Sequence, residues 1–393
     1  MSMPASLPVF PDEILEDIFL RLDAAADLAR ASAACTTFRR VVSGRRFRGR
    51  FRSLHPAPIL GILEFNAFHP AKPPHRSAPA ARALAQAADF SFSFLGAPKC
   101  WRVCDARDGR VLLYRRAGIP AAFPDLTVCD PLHRRYIQLP PIPDHLAAAT
   151  GGSGFEEFDP FLDATTDKEK EEEDLSFRVI CAVQCQHKLV TFHFSSVTGE
   201  WHGITFNRPT PLDPSMVKNC ILFERHYVHS CFYWRYWGTG SLFILDTREM
   251  KFSVIDHDQL PSKYGCQQQA IVEVGEGRLG FVIARDGVLE LYCKALGNKN
   301  NGVDAEWQHD KTIPLPQMGF CCYWSILAAA EGHILLQATP QDPSNIQSVT
   351  PESPCFTLDL KTFLVERLCV SSMHIRFAHL YASFPPSLSP PSI

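Results

Sequence analysis

Cysteine and histidine are the residue types in this chain whose numbers could support metal binding or nucleophilic catalysis. The 393 residues include 14 cysteines and 15 histidines. Cys100 and Cys104 are four residues apart, as are Cys181 and Cys185, but no Cys-x-x-Cys pair with a matching second pair occurs. In a strand, cysteines at this spacing share one face and pack as small apolar groups. We therefore predict no metal site, no cofactor and no catalytic residue.

A run of arginines between positions 39 and 52 could contact phosphate groups or act as a nuclear address. Stacking aromatic residues on a sheet do not accompany the run, although Phe47 and Phe51 lie between the arginines. We interpret the run as the solvated edge of a helix, so nucleic acid is not an expected partner. Its members are Arg39, Arg40, Arg45, Arg46, Arg48, Arg50 and Arg52.

The stretch Phe232–Trp237 concentrates five aromatic side chains around one arginine. Strand alternation would place Tyr233, Arg235 and Trp237 on one face, opposite the other three aromatic residues. Exposing both faces to water would be costly, so most of these rings are expected in the core. Tyr233, Arg235 and Trp237 nevertheless have the composition of a binding hot spot beside a Gly-Thr-Gly turn, and they are our candidate target-binding residues.

The overall composition excludes several classes of protein. The net charge of −3, from 39 basic and 42 acidic residues, gives no general attraction to nucleic acid or to an anionic membrane. No apolar stretch reaches the roughly 18 residues of a membrane-spanning helix, and acidic residues occupy positions 12, 13, 16 and 17, where a signal peptide is apolar. We expect an intracellular protein, cytoplasmic or nuclear, with reduced cysteines and no membrane partner.

The first fifty residues have helical periodicity. Two short helices, opened by Asp27 and by the Thr36-Thr37 pair, are predicted after a first helix that begins near Pro11. About forty residues rarely hold their own core, and no metal-ligand spacing is present, so this α module is expected to need a partner. One face of the first helix carries the apolar residues Ile14, Leu15, Ile18, Phe19 and Leu22.

This module resembles an F-box. The resemblance spans about residues 7–51 and rests on the opening segment Phe10–Leu15, the Asp-Leu pair at Leu28 and the aromatic-Arg step at Phe38. Phe10 and Phe38 stand where Leu and Trp are usual, and both keep the apolar character. The resemblance implies docking on a Skp-family adaptor, which is in turn bridged to a cullin scaffold. The adaptor-binding residues that it implies are Phe10, Pro11, Ile14, Leu15, Ile18, Phe19, Leu22, Leu28 and Phe38.

Beyond residue 55, short apolar runs alternate with turn residues, which indicates β structure. A Gly turn followed by a strand recurs at Gly109, Gly277 and Gly332, and the last two lie 55 residues apart. A period near fifty residues is typical of the blades of a β-propeller. A second unit, a strand that ends in an Asp able to hydrogen-bond its own turn, recurs at Asp130, Asp246 and Asp359.

The expected fold is multidomain, a small α module of three helices followed by an all-β domain. We expect an F-box domain at 7–52, a linker at 53–94 and a β-propeller-like domain at 95–375. An acidic insert at about 150–175 is expected to be disordered, and a Pro/Ser-rich tail at 383–393 is expected to be flexible. In its pattern the β domain is similar to the kelch-like, propeller-type domains that follow the F-box in many plant F-box proteins.

The two resemblances together imply the substrate-recognition subunit of an SCF-type ubiquitin ligase. In that role the chain is not an enzyme, and its β domain binds a target protein. One alternative is an interaction scaffold that uses an F-box-like module outside a ligase, which adaptor binding without a cullin would favour. The other is a propeller-fold enzyme with a Cys-His or carboxylate site, which a central pocket with converging titratable groups would favour.

Overall fold

The described part of the chain consists of N-terminal helices followed by a ring of small antiparallel sheets. For residues 25, 26, 45, 53, 222–224, 235 and 236 the backbone alone is described. The computed structural model describes residues 10–22, 25–55, 57–64, 67–96, 100–115, 123–151, 157–163, 176–185, 188–207, 222–236, 241–255, 260–261, 268–275, 277–295, 306–341, 352–371, 375, 378–384, 389 and 391–393.

The N-terminal region has one helix more than the sequence predicted. The additional helix covers most of the arginine run and turns Phe47 and Phe51 into the core, where both are at most 2% exposed. Phe19 meets Phe38 and Phe47 edge-on, with ring centroids 5.1 and 6.4 Å away. These aromatic contacts join the helices α1 (Asp12–Leu20), α3 (Thr36–Val42) and α4 (Arg45–Leu54), and Leu28 of α2 (Ala25–Ala34) packs in the same core.

The helices lead into β1 (Ile59–Glu64), β2 (Ala67–Pro70) and helix α5 (Ala78–Ala87). Five four-stranded sheets follow, each with its strands in sequence order. Blade 1 consists of β3 (Arg102–Arg107), β4 (Arg110–Arg115), β5 (Asp125–Asp130) and β6 (Arg135–Gln138). Blade 2 consists of β7 (Glu157–Leu162), β8 (Arg178–Gln184), β9 (Lys188–Ser195) and β10 (Glu200–Asn207). Blade 3 consists of β11 (Leu222–Val228), β12 (Cys231–Tyr236), β13 (Leu242–Asp246) and β14 (Lys251–Ile255). The short helix α6 (Asp144–Ala147) lies between blades 1 and 2. The remaining sheets are blade 4, β15 (Gln269–Val274), β16 (Arg278–Arg285), β17 (Val288–Ala295) and β18 (Gln308–Pro314), and blade 5, β19 (Cys322–Ala330), β20 (His333–Pro340), β21 (Ser353–Asp359) and β22 (Val365–Ser371).

The sixth blade closes the ring with strands from both ends of the described chain. In it β23 (His379–Ala382) pairs antiparallel with β1, and β1 pairs with β2. Contacts of β23 with β3 and with β19 join this blade to blades 1 and 5. The buried Tyr381 hydroxyl donates to the carbonyl of Gly109 in blade 1, at 3.0 Å. The chain therefore folds as an N-terminal helical region followed by a six-bladed β-propeller.

The recurring turns occupy equivalent places in their blades. Gly109, Gly277 and Gly332 have φ of 78°, 70° and 71° and join the first strand of a blade to its second. Only glycine adopts this left-handed region without cost, which explains the recurrence. The Asp prediction is also confirmed: Asp246 and Asp359 each accept two backbone N–H groups of the turn that follows, at 2.8 to 3.1 Å.

Three of the expected boundaries differ from the structure. The segment 53–94, expected as a linker, contains two strands of the sixth blade, because the apolar run of β1 is buried between β2 and β23. The segment 150–175, expected as a disordered insert, contains β7, although residues 152–156 and 164–175 lie outside the described residues. Within the expected flexible tail, Ser383 and Phe384 are buried and Ser392 is held by side chains of blade 1.

The helices pack against the end of the ring where β1 begins and β23 ends. Phe384, directly after β23, meets Phe51 edge-on with centroids 6.0 Å apart, and Arg52 lies over the same ring. His55 stacks on Phe51 and its Nε2 is 2.8 Å from the carbonyl of Leu20. We call this the helix end of the ring and the opposite one the distal end.

A charged network at the centre of the ring links the first strands of blades 1, 2 and 3 with β23 of the sixth blade. Arg225 on β11 forms ion pairs with Asp159 on β7 and with Asp105 on β3, the latter at 3.3 Å. His379 on β23 lies 3.8 Å from Asp105. Trp234 donates to the second oxygen of Asp159 at 3.0 Å. Burial alone would lower the pKa of Arg225, but the two carboxylates outweigh it and raise that pKa.

Replacing Arg225 should destabilise the propeller strongly. In Arg225→Met the carboxylates of Asp105 and Asp159 remain at the ring centre without their cation, and the loss of a buried partner costs about 3–5 kcal/mol. Urea unfolding should show this decrease. The matched control is Arg278→Met, which breaks a half-exposed pair with Asp310 and should cost less than about 1 kcal/mol. Equal effects of the two substitutions would contradict a stabilising role for the network.

Two glycine substitutions should change stability in opposite directions. A Cβ at Gly61 would clash with the carbonyl oxygen of His69, so Gly61→Ala must separate β1 from β2 and should cost about 1–3 kcal/mol or more. A Cβ at Gly49 in α4 would meet nothing within 4 Å, so Gly49→Ala should stabilise the helix by about 0.5–1 kcal/mol. Thermal unfolding of both variants shows whether each substitution raises or lowers the stability. A Gly61→Ala protein as stable as the wild type would contradict the close packing of β1 against β2.

Candidate functional site

The first helix carries an exposed apolar stripe on the side that faces away from the other helices. Phe10, Ile14 and Ile18 are 49%, 46% and 47% exposed. Ile14 and Ile18 are four residues apart in α1, which places them on one side of the helix, and Phe10 lies just before the helix, on the N-terminal side of Pro11. Pro11, which ends the extended entry to the helix, is also exposed. Three neighbouring large apolar side chains exposed to solvent are typical of a protein–protein interface.

The other residues of the predicted adaptor set have a different environment. Leu15, Phe19 and Leu28 are buried at 4%, 5% and 1% exposure in the core of the helical region. Leu22 and Phe38 are half-buried and pack against the same core. The residues at 10, 14 and 18 can therefore contact a partner directly, whereas these five support the helix that presents them.

Ion pairs fix the orientation of the stripe. Asp12 at the start of α1 accepts from both terminal nitrogens of Arg40 on α3. Glu16 and Asp17 lie 3.3 and 3.9 Å from Arg50 on α4. Each pair is substantially exposed, so its contribution to stability is small. Their geometric effect is to join α1 to both neighbours along the edge of the apolar stripe.

The arginine run forms the outer face of α3 and α4. Arg39, Arg40 and Arg46 are exposed, in agreement with the interpretation of a solvated helix edge. Phe47 and Phe51 are buried in the helical core and present no ring on which a base could stack.

The predicted target-binding residues are only partly described. Tyr233 is 3% exposed and lies in the core between blades 3 and 4, so its ring offers no surface to a target. Burial raises the pKa of its hydroxyl. Arg235 belongs to β12, which ends at the distal end of the ring, but its side chain is outside the described residues, as is the whole of Trp237.

The prediction that the cysteines pack in the core is confirmed for Cys181 and Cys185 but is wrong for Cys100, which lies before β3 and is exposed, while Cys104 is half-buried. Cys181 and Cys185 are both buried in the core of blade 2, and Cys129 is buried in blade 1. Burial raises the pKa of the Cys104 and Cys181 thiols well above the usual value, which keeps them protonated and weakly nucleophilic. No group of three or more potential metal ligands occurs among the described residues.

Titratable groups from four strands converge around Arg225, and sequence reasoning missed this network. Its oxygens are already engaged: Asp105 accepts the backbone N–H of Leu162 at 2.8 Å, and Asp159 accepts from Trp234 and Arg225. Burial lowers the pKa of His379, which favours the neutral ring. A carboxylate held by an arginine and by fixed donors is a poor acid or base, so this arrangement fits a structural role better than a catalytic one.

No helix in the described ranges combines the length and apolar character needed to cross a membrane.

Comparison with known proteins supports the assignment of the helical region. Residues 7–50 match the family model described as F-box-like. No curated protein matches the chain.

Solved structures resemble the chain only distantly. An oligogalacturonate lyase in complex with manganese is 10% identical over 65% of this chain, with a TM-score of 0.31, and the chain spans 61% of that lyase's length. The β-propeller domain of Cps50 (Swd1) from Myceliophteria thermophila is 8% identical, covers 70% of this chain and 74% of its own, and has a TM-score of 0.33. The polysaccharide lyase Uly1 is 9% identical over 66% and 58% of the two chains, with a TM-score of 0.36. These values carry no argument about function, and the chain is defined by its F-box-like region followed by a six-bladed β-propeller.

Proposed function

We propose that this protein is a substrate-recognition subunit of an SCF-type ubiquitin ligase. The exposed stripe of Phe10, Ile14 and Ile18 on an F-box-like helix is the observation that carries the proposal. F-box domains generally bind Skp-type adaptors, and an F-box joined to a propeller is typical of adaptors that perform no catalysis. The ubiquitin transfer itself would be performed by partners that the adaptor and a cullin bring together.

The size of the stripe suits a partner interface. Because each of the three side chains is already about half buried, burying the remainder contributes about 2–5 kcal/mol before the entropy of association is subtracted. Leu15 and Phe19 pack in the helical core and fix α1 before a partner binds, so the backbone of α1 loses little conformational entropy on binding. The acidic and basic groups along the edge of the stripe, Asp12 and Arg40 among them, would form a polar rim.

The distal end of the ring is the surface we assign to the target protein. The helices cover the opposite end, where Phe384 packs on Phe51. Tyr323, at the start of β19, is 63% exposed at the distal end and supplies the amphipathic ring that is frequent in hot spots. Arg235 belongs to the same end by its position in β12 and stays part of the proposal, as does Trp237, which lies outside the described residues.

Adaptor binding should depend on the exposed stripe alone. In Ile14→Asp with Ile18→Asp, two apolar side chains are lost and two carboxylates enter the interface, so affinity for a Skp-type adaptor should fall by at least about 100-fold. Both positions are nearly half exposed, so thermal unfolding should remain unchanged. Binding is measured by titration of the purified chain with the adaptor.

The matched control is Val197→Asp with Leu364→Asp, which makes the same kind of change at two exposed positions of the propeller, 61% and 51% exposed. This control should bind the adaptor normally. Retained binding by the Ile14/Ile18 variant would overturn the assigned surface. Capture of the adaptor without any cullin would instead favour the scaffold alternative.

A further inference from the structure

Residues Pro391–Ile393 are bound to the helix end of blade 1 by side chains far away in the sequence. The backbone N–H and the Oγ of Ser392 both donate to Asp130 Oδ2, at 2.8 and 3.0 Å. Arg110 Nε donates to the carbonyl oxygen of Ser392 at 2.8 Å. Ile393 packs against the apolar core between blades 1 and 2.

The two side chains that hold Ser392 are buried and held in place. Asp130 is 2% exposed and Arg110 is 7% exposed. His133 fixes the carboxylate, since its N–H donates to Oδ1 at 3.0 Å and its Nδ1 lies 2.9 Å from Oδ2. The guanidinium of Arg110 lies over the ring of Phe177, 5.8 Å from its centroid. Burial raises the pKa of Asp130, but the hydrogen bonds from Ser392 and His133 outweigh it, so the net pKa is lowered and the group is an anion.

All three polar groups of Ser392 are thus bound by two charged side chains, the N–H and Oγ by Asp130 Oδ2 and the carbonyl by Arg110. Contacts to the N–H and C=O of one residue recognise an extended peptide of any sequence, as at a sheet edge. The contact to Oγ adds selectivity for a hydroxyl that donates, and the apolar cleft adds selectivity for an aliphatic residue after it. Removal of Ser392 would take two hydrogen bonds from the buried Asp130, which would keep its contacts with His133, and one from the buried Arg110. Losing hydrogen bonds to buried charged groups is costly, so the cleft favours occupation.

We propose that this cleft is a peptide-binding site for an extended segment with an unphosphorylated serine followed by an aliphatic residue, and that Pro391–Ile393 is its internal ligand. A partner protein with such a segment competes with the internal ligand for the cleft. A phosphate on the serine would remove the donated hydrogen bond and place a dianion beside Asp130, so phosphorylation prevents binding. This inference does not rest on the ligase proposal, and its test needs only the purified chain.

The test uses a fluorescent peptide with the sequence of residues 386–393 and two forms of the protein, the full chain and a variant that ends at residue 385. Peptide at up to about 1 mM is titrated by fluorescence polarisation. The shortened variant should bind the peptide. The full chain should bind it at least about tenfold more weakly, because its own segment is present at a high effective concentration. Absent binding to the shortened variant, or equal binding to both forms, would overturn the proposal.

Changes in the peptide test recognition without affecting the folding of the protein. Replacing the serine by alanine or by phosphoserine, or the isoleucine by aspartate, should each weaken binding at least about tenfold. On the protein side, Asp130→Asn should weaken it similarly, with the exposed Asp144→Asn as the matched control. Equal or tighter binding of the phosphoserine peptide would show that the carboxylate does not read the hydroxyl and would refute the site.

Discussion

The pairing of β1 with β23 is the contact on which the rest of the molecule depends. It closes the ring with strands from opposite ends of the described chain. Because α4 ends only a few residues before β1 and Phe384 directly follows β23, the same pairing places the helices against the ring. His379 at the start of β23 extends the closure to the network around Arg225. The pairing of β1 with β23 therefore contributes both to the stability of the ring and to the orientation of the exposed α1 residues relative to it.

The sequence predicted the β-propeller architecture where local chemistry repeats, and failed where it does not. In blade 5, Gly332 lies in the turn between the first two strands and Asp359 in the turn between the last two, as their equivalents do in other blades. The first turn needs a positive φ, which favours glycine, and the second needs a side chain that accepts backbone N–H groups, so both can be recognised locally. The apolar run of β1 carried no such signal, since its partner β23 is over 300 residues away. The strand β7 was not predicted because it lies in a segment whose overall acidic and Gly-rich composition is typical of a solvated loop.

The candidate site shows the same division between local and long-range information. Helical spacing predicted that Ile14, Leu15, Ile18 and Phe19 share one face of α1, but the structure divides them, with Leu15 and Phe19 in the helical core and Ile14 and Ile18 exposed. Which of them face water depends on the position of α3 and α4, which bury Phe19 against Phe38 and leave Ile18 exposed. The network of Asp105, Asp159, Arg225 and His379 could not be predicted, because only ring closure brings four distant strands to one centre.

The packing of the helices determines what the proposed function can achieve. A flexible linker between an adaptor-binding module and a target-binding domain would spread the bound target over a large volume and lower its effective concentration at the ligase. Here Phe384 packs on Phe51, and His55 joins α4 to the end of α1 through the carbonyl of Leu20. The apolar stripe and the distal end of the ring are then two surfaces of one packed unit. The propeller would set the distance between the adaptor and a target bound at the distal end. The positions of the lysines on the surface of that target would then decide which of them are modified.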